Sequence, residues 1–499
     1  MTFPLKRLDA FLNSITMYSL MLNGLFALAG VAVLFAILGW ISFSPIQMIA
    51  SFFILTIVSH VANLLFEKLT RAAVNLESVY ITALLLFFIL DPNVSSLYNV
   101  SMLAAAAVIA QASKYVFAIG RRHVFNPVAI SAVVLGLFGV TSVLWWIATP
   151  FLFPFVLVFG LMVVRKIRRF EEVGAFAIGA ILVALFRGVP ILSLFLSWPL
   201  VFFGTLMLTE PRTAPAMKRH QMLFGAGVGL LFSSMLSIGS VSITPELALC
   251  LLNIFAFCVS PRDVVRLKFK SMTHETDQVC DFTFTPDRKL HFRAGQYLEW
   301  TLPLKKPDNR GNRRYFTIAS APSDEEVHLG VRIDQAHSSA FKKQLLEMKP
   351  GDELVGSHLA GEFTLPKDPS QKMVWIAGGI GVTPFRSMMR ELAHTKQKRD
   401  IHLFYCANTE GDFAYKKEFE EGCTVTGVCL GLVVAKPAST WTGMCGFLTR
   451  EMIEKEVPDF ASRTFYFSGP PMMVENYVRL VESMGISKRQ IKTDYFPGF

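Results

Sequence analysis

The chain is 499 residues long, 52% hydrophobic and only 17% charged, with a formal charge of +10. That length exceeds one ordinary domain, and the apolar share exceeds the norm for soluble proteins. The charge does not point to nucleic acid, because the basic residues of the first half stand in short clusters between apolar runs, where the positive-inside rule places them. Seven cysteines (Cys250, Cys258, Cys280, Cys406, Cys423, Cys429 and Cys445) form no C-x-x-C pair, and their odd number argues against a disulfide scaffold. Nor do they show the C-x4-C-x2-C spacing of a plant-type iron–sulfur site. The expectation is reduced thiols and no metal centre.

A helix needs about 20 mainly apolar residues to cross a bilayer. By that measure residues 1–260 predict a polytopic all-α membrane domain of about ten spans. The runs are 18–40, 46–66, 72–90, 98–119, 125–141, 150–164, 173–187, 190–208, 222–238 and 243–259. The first follows Lys6 and Arg7 and is too long for a signal-peptide core, so it reads as a retained span. With that parse, Lys6/Arg7, Lys68/Arg71, Arg121/Arg122 and the clusters at 165–169 and 212–219 fall on one side, which puts the second half of the chain in the cytoplasm. The third run closes on Leu90-Asp91-Pro92-Asn93 and the eighth on Thr209-Glu210-Pro211-Arg212. An acid followed by proline at both places suggests a five-plus-five inverted repeat, although Asp-Pro is also a common helix stop. Glu77 is either a cation ligand or proton relay within a span, or a residue near a helix end that reaches water. His60 is the one histidine well inside a run. A transmembrane b-type haem needs paired imidazoles, so haem is not expected.

Arg122-His123-Val124-Phe125-Asn126-Pro127 and Leu208-Thr209-Glu210-Pro211-Arg212-Thr213-Ala214-Pro215 carry a resemblance. Residues 20–260 look like the family of membrane flavin subunits found in the sodium-translocating NADH:quinone reductase and in the Rnf complex. The resemblance implies an FMN, attached in that family through a phosphoester to the threonine of an Asp-x-x-Ser/Thr-Gly/Ser-Ala-Thr motif. Here the nearest match is Trp145-Trp146-Ile147-Ala148-Thr149-Pro150, which keeps Ala148-Thr149 but lacks the upstream aspartate and the Ser-Gly pair. Thr149 is thus the candidate for covalent FMN. The other reading makes the two tryptophans interfacial anchors, and non-covalent flavin stays open.

After the apolar half, short alternating strands such as 264–269, 279–284 and 297–302, separated by Gly, Pro and Asp turns, predict an antiparallel β-barrel over 261–366. Strand 373–377, a helix from Val382, and strands 401–405 and 464–467 then predict an α/β parallel-sheet domain over 367–499. Gly379-Ile380-Gly381-Val382-Thr383-Pro384 lies between strand and helix, where dinucleotides bind. Its glycines admit a pyrophosphate to the backbone, and the helix N-terminus adds positive charge. Alone, this GxGxxP loop could be a plain strand–helix turn.

It stands between Arg314-Tyr315-Phe316-Thr317 and Ser468-Gly469-Pro470-Pro471-Met472-Met473. That ordered set resembles the ferredoxin–NADP reductase superfamily, including the FAD-binding component of the sodium-pumping reductase. The resemblance implies FAD on the barrel and NADH or NADPH on the sheet. It implies that Arg314 pairs with the FAD pyrophosphate, that Phe316 packs on the isoalloxazine, and that Thr317 bonds near flavin N5. Tyr315, Val331, Arg332, Ser338 and Ser339 join the cofactor set. Gly469, Pro470 and Met472 close the nicotinamide site with Ser468, which replaces the family's usual cysteine near nicotinamide C4. The tail Asp494-Tyr495-Phe496-Pro497-Gly498-Phe499 is expected to lay one ring (Tyr495, Phe496 or Phe499) over the flavin. Residues 406–412 lack an arginine for a 2′-phosphate, which favours NADH, while Lys416 and Lys417 leave NADPH open.

The sum is a multi-pass cell-membrane flavoprotein passing electrons from NAD(P)H through FAD into its membrane half. The receiver is a second flavin, a quinone, an extracytoplasmic acceptor or another electron-transfer subunit. Two alternatives remain: a redox-driven Na+ or H+ pump component, and a transporter with a flavin-based redox sensor.

Overall fold

The computed structural model describes residues 7–9, 11–12, 15–70, 76–119, 122–140, 143–234, 236–239, 241–260, 264–304, 308, 311–334 and 338–494. Two compact units divide the chain, Met1–Arg262 and Asp263–Phe499.

The first unit is helical. Among the described residues, two helices are long and apolar enough to cross a membrane, Met17–Ile37 and Pro45–Thr70. This overturns the expectation of about ten spans. The apolar helices Leu76–Ile89, Pro127–Leu137 and Pro245–Val259 are too short. At 1.5 Å per residue, 14 residues of Leu76–Ile89 reach about 21 Å against a hydrocarbon core of about 30 Å. Hydropathy overcounted because proline cuts the runs and because a core helix is as apolar as a lipid-facing one. Every residue from Thr82 to Ile89 is buried. Around that helix pack Trp146, 5.0 Å from Phe87 ring to ring, and Phe202, 5.7 Å from Phe88. The inverted repeat falls with the spans: the run before Asp91 is a regular α-helix, whereas the run before Glu210 ends in a π-helical turn, Phe203–Met207. His60, the histidine considered for haem, is met by the Tyr80 hydroxyl at 3.2 Å.

The second unit holds two sheets. Strands β1 (Val265–Thr276), β2 (Val279–Pro286), β3 (Tyr297–Thr301), β4 (Arg313–Thr317), β5 (Val327–Arg332) and β6 (Glu353–Ala360) form one six-stranded sheet in the order β4-β3-β6-β1-β2-β5. Its pairs are antiparallel, and no ladder joins β4 to β5 among the described residues, so the antiparallel barrel expected takes the form of a half-barrel. The alternation of β1, buried at Val265, Leu267 and Phe269, puts one face into a core with Phe282, Phe284 and Trp300. Helix α1 (Ala340–Leu346) packs Phe341 and Leu345 against that core.

The second sheet is parallel. Its strands β7 (Met373–Gly378), β8 (Ile401–Ala407), β9 (Val428–Val434), β10 (Met444–Cys445), β11 (Thr464–Ser468) and β12 (Ile491–Asp494) lie in the order β10-β9-β8-β7-β11-β12. β7 is buried at every position, as a central strand covered on both faces must be. Helices α2 (Thr383–His394), α3 (Lys416–Thr426), α4 (Arg450–Glu456) and α5 (Pro471–Ser483) connect the strands. The order reverses beside β7, between β8 and β11, so the carboxyl end of β7 is a switch point at which ligands bind in open α/β sheets.

Candidate active site

At that switch point β7 gives way to a single 3-10 turn, Gly379–Val382, and then to α2, with Pro384 in its first turn. Proline suits that place because the first helical N–H groups have no intrahelical acceptor. Gly379 has φ +51°, and a Cβ there would meet nothing within 4 Å, so the loop presents bare backbone to open space. Gly381 is the opposite case: a Cβ would lie 2.5 Å from Gly469 Cα and from the Ser468 carbonyl oxygen. The glycine loop and the Ser468-Gly469-Pro470 turn are therefore in backbone contact. The register agrees, with Ala377 opposite Ser468 and Gly378 opposite Cys406. Thr383 turns its hydroxyl back to the Ile380 carbonyl at 3.2 Å. Met472 is exposed on the first turn of α5.

The first motif lies on the edge strand β4. Arg314 is 3% exposed, and its Nη1 donates to the carbonyls of Gly311 at 3.2 Å and Arg313 at 2.6 Å. Its Nη2 lies 3.7 Å from Asp308, and its guanidinium sits 5.4 Å from the centre of the Phe341 ring. Phe316 approaches Phe341 as well, at 6.0 Å. Tyr315 points the other way, donating its hydroxyl to Glu299 at 2.9 Å. Val331 is buried on β5, and the exposed Arg332 holds the Gln278 amide oxygen at 2.6 and 2.9 Å. Ser339 caps α1, its hydroxyl accepting from the Lys342 amide at 3.3 Å, and the Ser338 hydroxyl donates to the Asp334 carbonyl. Both serines thus satisfy local backbone, the ordinary work of a helix cap.

The residue that sequence reasoning missed is Asp494. It ends β12 directly opposite Ser468 in the parallel ladder. The neighbouring Thr317 and Ser468 hydroxyls act on its carboxyl group, so one buried acid lies beside both the first motif and the third. Burial pushes its pKa up from 3.8 to about 7, against the lowering effect of the two neighbouring hydroxyls. One of its oxygens, Oδ2, is buried with no hydrogen-bond partner. No residue type in Ile491-Lys492-Thr493-Asp494 announces this role; only the strand pairing does. Tyr495, Phe496 and Phe499, expected over the flavin, lie outside the described residues.

The first unit brings together the two motifs that carried its resemblance. Asn126 donates to Glu210 at 2.8 Å, His123 Nε2 lies 3.5 Å from the same carboxylate, and Arg122 donates to the Arg212 carbonyl at 2.6 Å. Thr149 has a buried hydroxyl oxygen without a hydrogen-bond partner. Trp145 and Trp146 are interior residues, donating to Glu246 at 2.6 Å and to the Phe87 carbonyl at 2.7 Å, and so are not interfacial anchors. Glu77 occupies the first turn of Leu76–Ile89.

An antiparallel half-barrel followed by a parallel sheet, with the second and third motifs in contact at the switch point, defines an oxidoreductase module of the nicotinamide-dependent kind. Residues 375–479 match the family described as the oxidoreductase NAD-binding domain. The chain is 28% identical over 200 residues to a component of the Na(+)-translocating NADH-quinone reductase of Yersinia pestis, across 37% of this chain and 49% of that protein. It is 26% identical over 229 residues to the glycine betaine monooxygenase reductase subunit of Chromohalobacter salexigens, across 44% of this chain and 61% of that one. Among solved structures, the Amycolatopsis cytochrome P450 reductase GcoB aligns with a TM-score of 0.42 at 23% identity, across 47% of this chain and 70% of that chain. The C-terminal unit resembles the ferredoxin–NADP reductase superfamily. The chain spans about half the length of the Yersinia relative that it matches.

Proposed function

We propose that the C-terminal unit is an NAD(P)H-oxidising flavoprotein module, with residues 261–366 as its FAD-binding domain and 367–499 as its nucleotide-binding domain. The observation that supports this most is the buried Asp494, which stands opposite Ser468 and beside Thr317 with one oxygen unpartnered. It lies next to the strand that pairs with β7, whose glycine loop opens on free space. An orphaned oxygen of a buried acid there fits a site built to receive a polar ring.

FAD, when bound, supplies the hydride-accepting N5. The chain's own residues bind and orient. Arg314 is the partner for the FAD pyrophosphate, a charge-assisted contact suited to a guanidinium. Phe316 bears the isoalloxazine, and Val331, Arg332, Ser338 and Ser339 complete the flavin side, while Tyr315, turned to Glu299, is left out of it. Gly379, Ile380, Gly381, Val382, Thr383 and Pro384 receive the dinucleotide pyrophosphate at the α2 N-terminus. Ser468, Gly469, Pro470 and Met472 frame the nicotinamide. Catalysis is mostly positioning, with nicotinamide C4 held against the acceptor atom. NADH is the favoured donor.

Electrons leave toward a quinone or another electron-transfer subunit, in keeping with the NADH-quinone reductase likeness. The protein resides at a membrane through Met17–Ile37 and Pro45–Thr70, with the C-terminal unit in the cytoplasm. FMN at Thr149 is left out of this reading, because the hydroxyl that would carry it is buried. The test is direct. Purified full-length protein should show a flavin spectrum that NADH bleaches under anaerobic conditions. A spectrum indifferent to both NADH and NADPH overturns the proposal.

A further inference from the structure

The helix that opens with the glycine loop also grips the strand that carries the first motif. One turn after Thr383, Arg386 Nη1 donates to the Ala319 carbonyl at 3.2 Å, two residues beyond Thr317. The next residue, Ser387, donates its hydroxyl to the Ser320 carbonyl at 2.6 Å and accepts from the Gly295 amide at 3.4 Å. Ala319 and Ser320 are hung between this helix and β5, because the Ala319 amide donates to the His328 carbonyl at 2.9 Å and the His328 amide donates to Ser320 Oγ at 3.2 Å.

Both donors on α2 are themselves fixed. Ser387 is fully buried and Arg386 is 5% exposed. The guanidinium donates to Glu418 at 2.8 Å, lies 3.7 Å from Asp281 and stacks 4.2 Å from the centre of the Tyr415 ring. A buried guanidinium held by two carboxylates and an aromatic face has one rotamer available and loses little by making a further bond. The arrangement ties the loop that receives one ligand to the strand exit that positions the other, through a single helical turn.

We propose that Arg386 and Ser387 are positioning residues for hydride transfer, strapping the exit of the Thr317 strand to the first turns of the nucleotide helix. This rests on the oxidoreductase reading above. The strap sets the separation between the flavin side at Thr317 and the nicotinamide side at Ser468. Reaction rate is steeply sensitive to that separation, since a displacement of 1 Å can cost about a hundredfold. Affinity is less sensitive, because the pyrophosphate contacts lie on either side of the strap.

The test is Ser387→Ala in the full-length protein, with Arg386→Lys as a second variant that keeps the charge but loses the planar fork. Two quantities are read: the limiting rate of anaerobic flavin bleaching by NADH, and amide hydrogen exchange over residues 318–321 in flavin-free protein. The expected result is wild-type flavin content and NADH affinity, a limiting rate at least about tenfold lower, and faster exchange in that segment. A variant that bleaches at the wild-type rate with unchanged exchange overturns the proposal, and so does one whose only change is a lower melting temperature. If the wild-type protein itself fails to bleach, the oxidoreductase reading has failed, and unchanged exchange in flavin-free Ser387→Ala still rejects the strap separately.

Discussion

Ser468 and Asp494 stand opposite each other on adjacent parallel strands, and the buried Asp494 carboxyl group keeps its Oδ2 without a hydrogen-bond partner. The serine that stands where the resemblance expects a cysteine thus sets a hydroxyl beside a buried acid, and a thiol is the weaker donor in that place.

The first prediction concerns pH. Burial raises the Asp494 carboxyl from 3.8 to about 7, so the protonated form is the one the folded state prefers. Its contribution to stability is fully present below the unfolded value and is lost as pH rises through about 7. Asp494→Asn, neutral throughout, should gain on the wild type as pH rises from about 4 to about 7, by ~2–4 kcal/mol, and the gap should then level off. Urea unfolding of both proteins across that range measures it. A gap that is the same at both ends removes the buried charge as its cause.

The second prediction concerns Ser468 itself. Ser468→Ala removes one of two hydroxyls that favour the ionised acid, so the pKa of Asp494 should rise further. Losing one net hydrogen bond is worth about 0.5–1.5 kcal/mol, which is about a 2- to 13-fold fall in the rate of flavin bleaching if the bond is held in the transition state. Stopped-flow absorbance gives the rate, and its pH profile should shift upward with the acid. Ser468→Cys should fall between the two, and a Ser468→Ala enzyme with wild-type rate and profile would mean that the hydroxyl only packs.

The parts of this site that were legible in the sequence are the local ones. A glycine loop between strand and helix, and the spacing of Arg314, Phe316 and Thr317, are written within a few consecutive residues. Asp494 was not legible, because its partners come from two other strands and nothing in its own segment marks it. Arg386 and Ser387 escaped for the same reason: they read as an ordinary second turn of a helix. The overcount of spans has a different cause. The buried run from Thr82 to Ile89 is apolar on every side, and composition alone does not say whether protein or lipid covers it. Pro199 was the available warning, since it divides the run 190–208 that hydropathy joins.

The third prediction separates two glycines of one loop. Gly381→Ala would drive a methyl group to within 2.5 Å of Gly469 Cα and the Ser468 carbonyl, backbone atoms that cannot step aside. It should cost about 1–3 kcal/mol and weaken NADH binding by prying the third motif from the loop, while FAD stays bound. Gly379→Ala meets no atom and bears only the left-handed backbone at φ +51°, about 1–2 kcal/mol. Thermal unfolding and NADH titration of the two variants should rank them in that order for affinity. Equal affinities would show that contact between loop and turn does not shape the nucleotide site.

The fourth prediction is coenzyme choice, where the geometry sharpens what composition left open. β8 ends at the edge of the site and runs into Asn408-Thr409-Glu410-Gly411-Asp412, which is acidic and fixed in place. Asp412 accepts from the Thr409 amide and hydroxyl, both at 2.9 Å, and Glu410 accepts from the Ala438 amide at 3.2 Å. Acids at the end of the strand beside the glycine-loop strand suit a ribose 2′-hydroxyl and repel a 2′-phosphate. The two lysines that argued for NADPH lie along α3, Lys416 3.8 Å from Glu420 and Lys417 4.0 Å from Glu421, so a 2′-phosphate would meet acids beside them. NADH should therefore be preferred in kcat/KM by at least about tenfold, or ~1.4 kcal/mol. Lys416→Ala and Lys417→Ala should leave that ratio unchanged, while Glu410→Ala should narrow it by improving NADPH. Steady-state rates with both coenzymes decide the matter. A ratio that collapses in either lysine variant would place the 2′-phosphate on α3 and reverse the assignment.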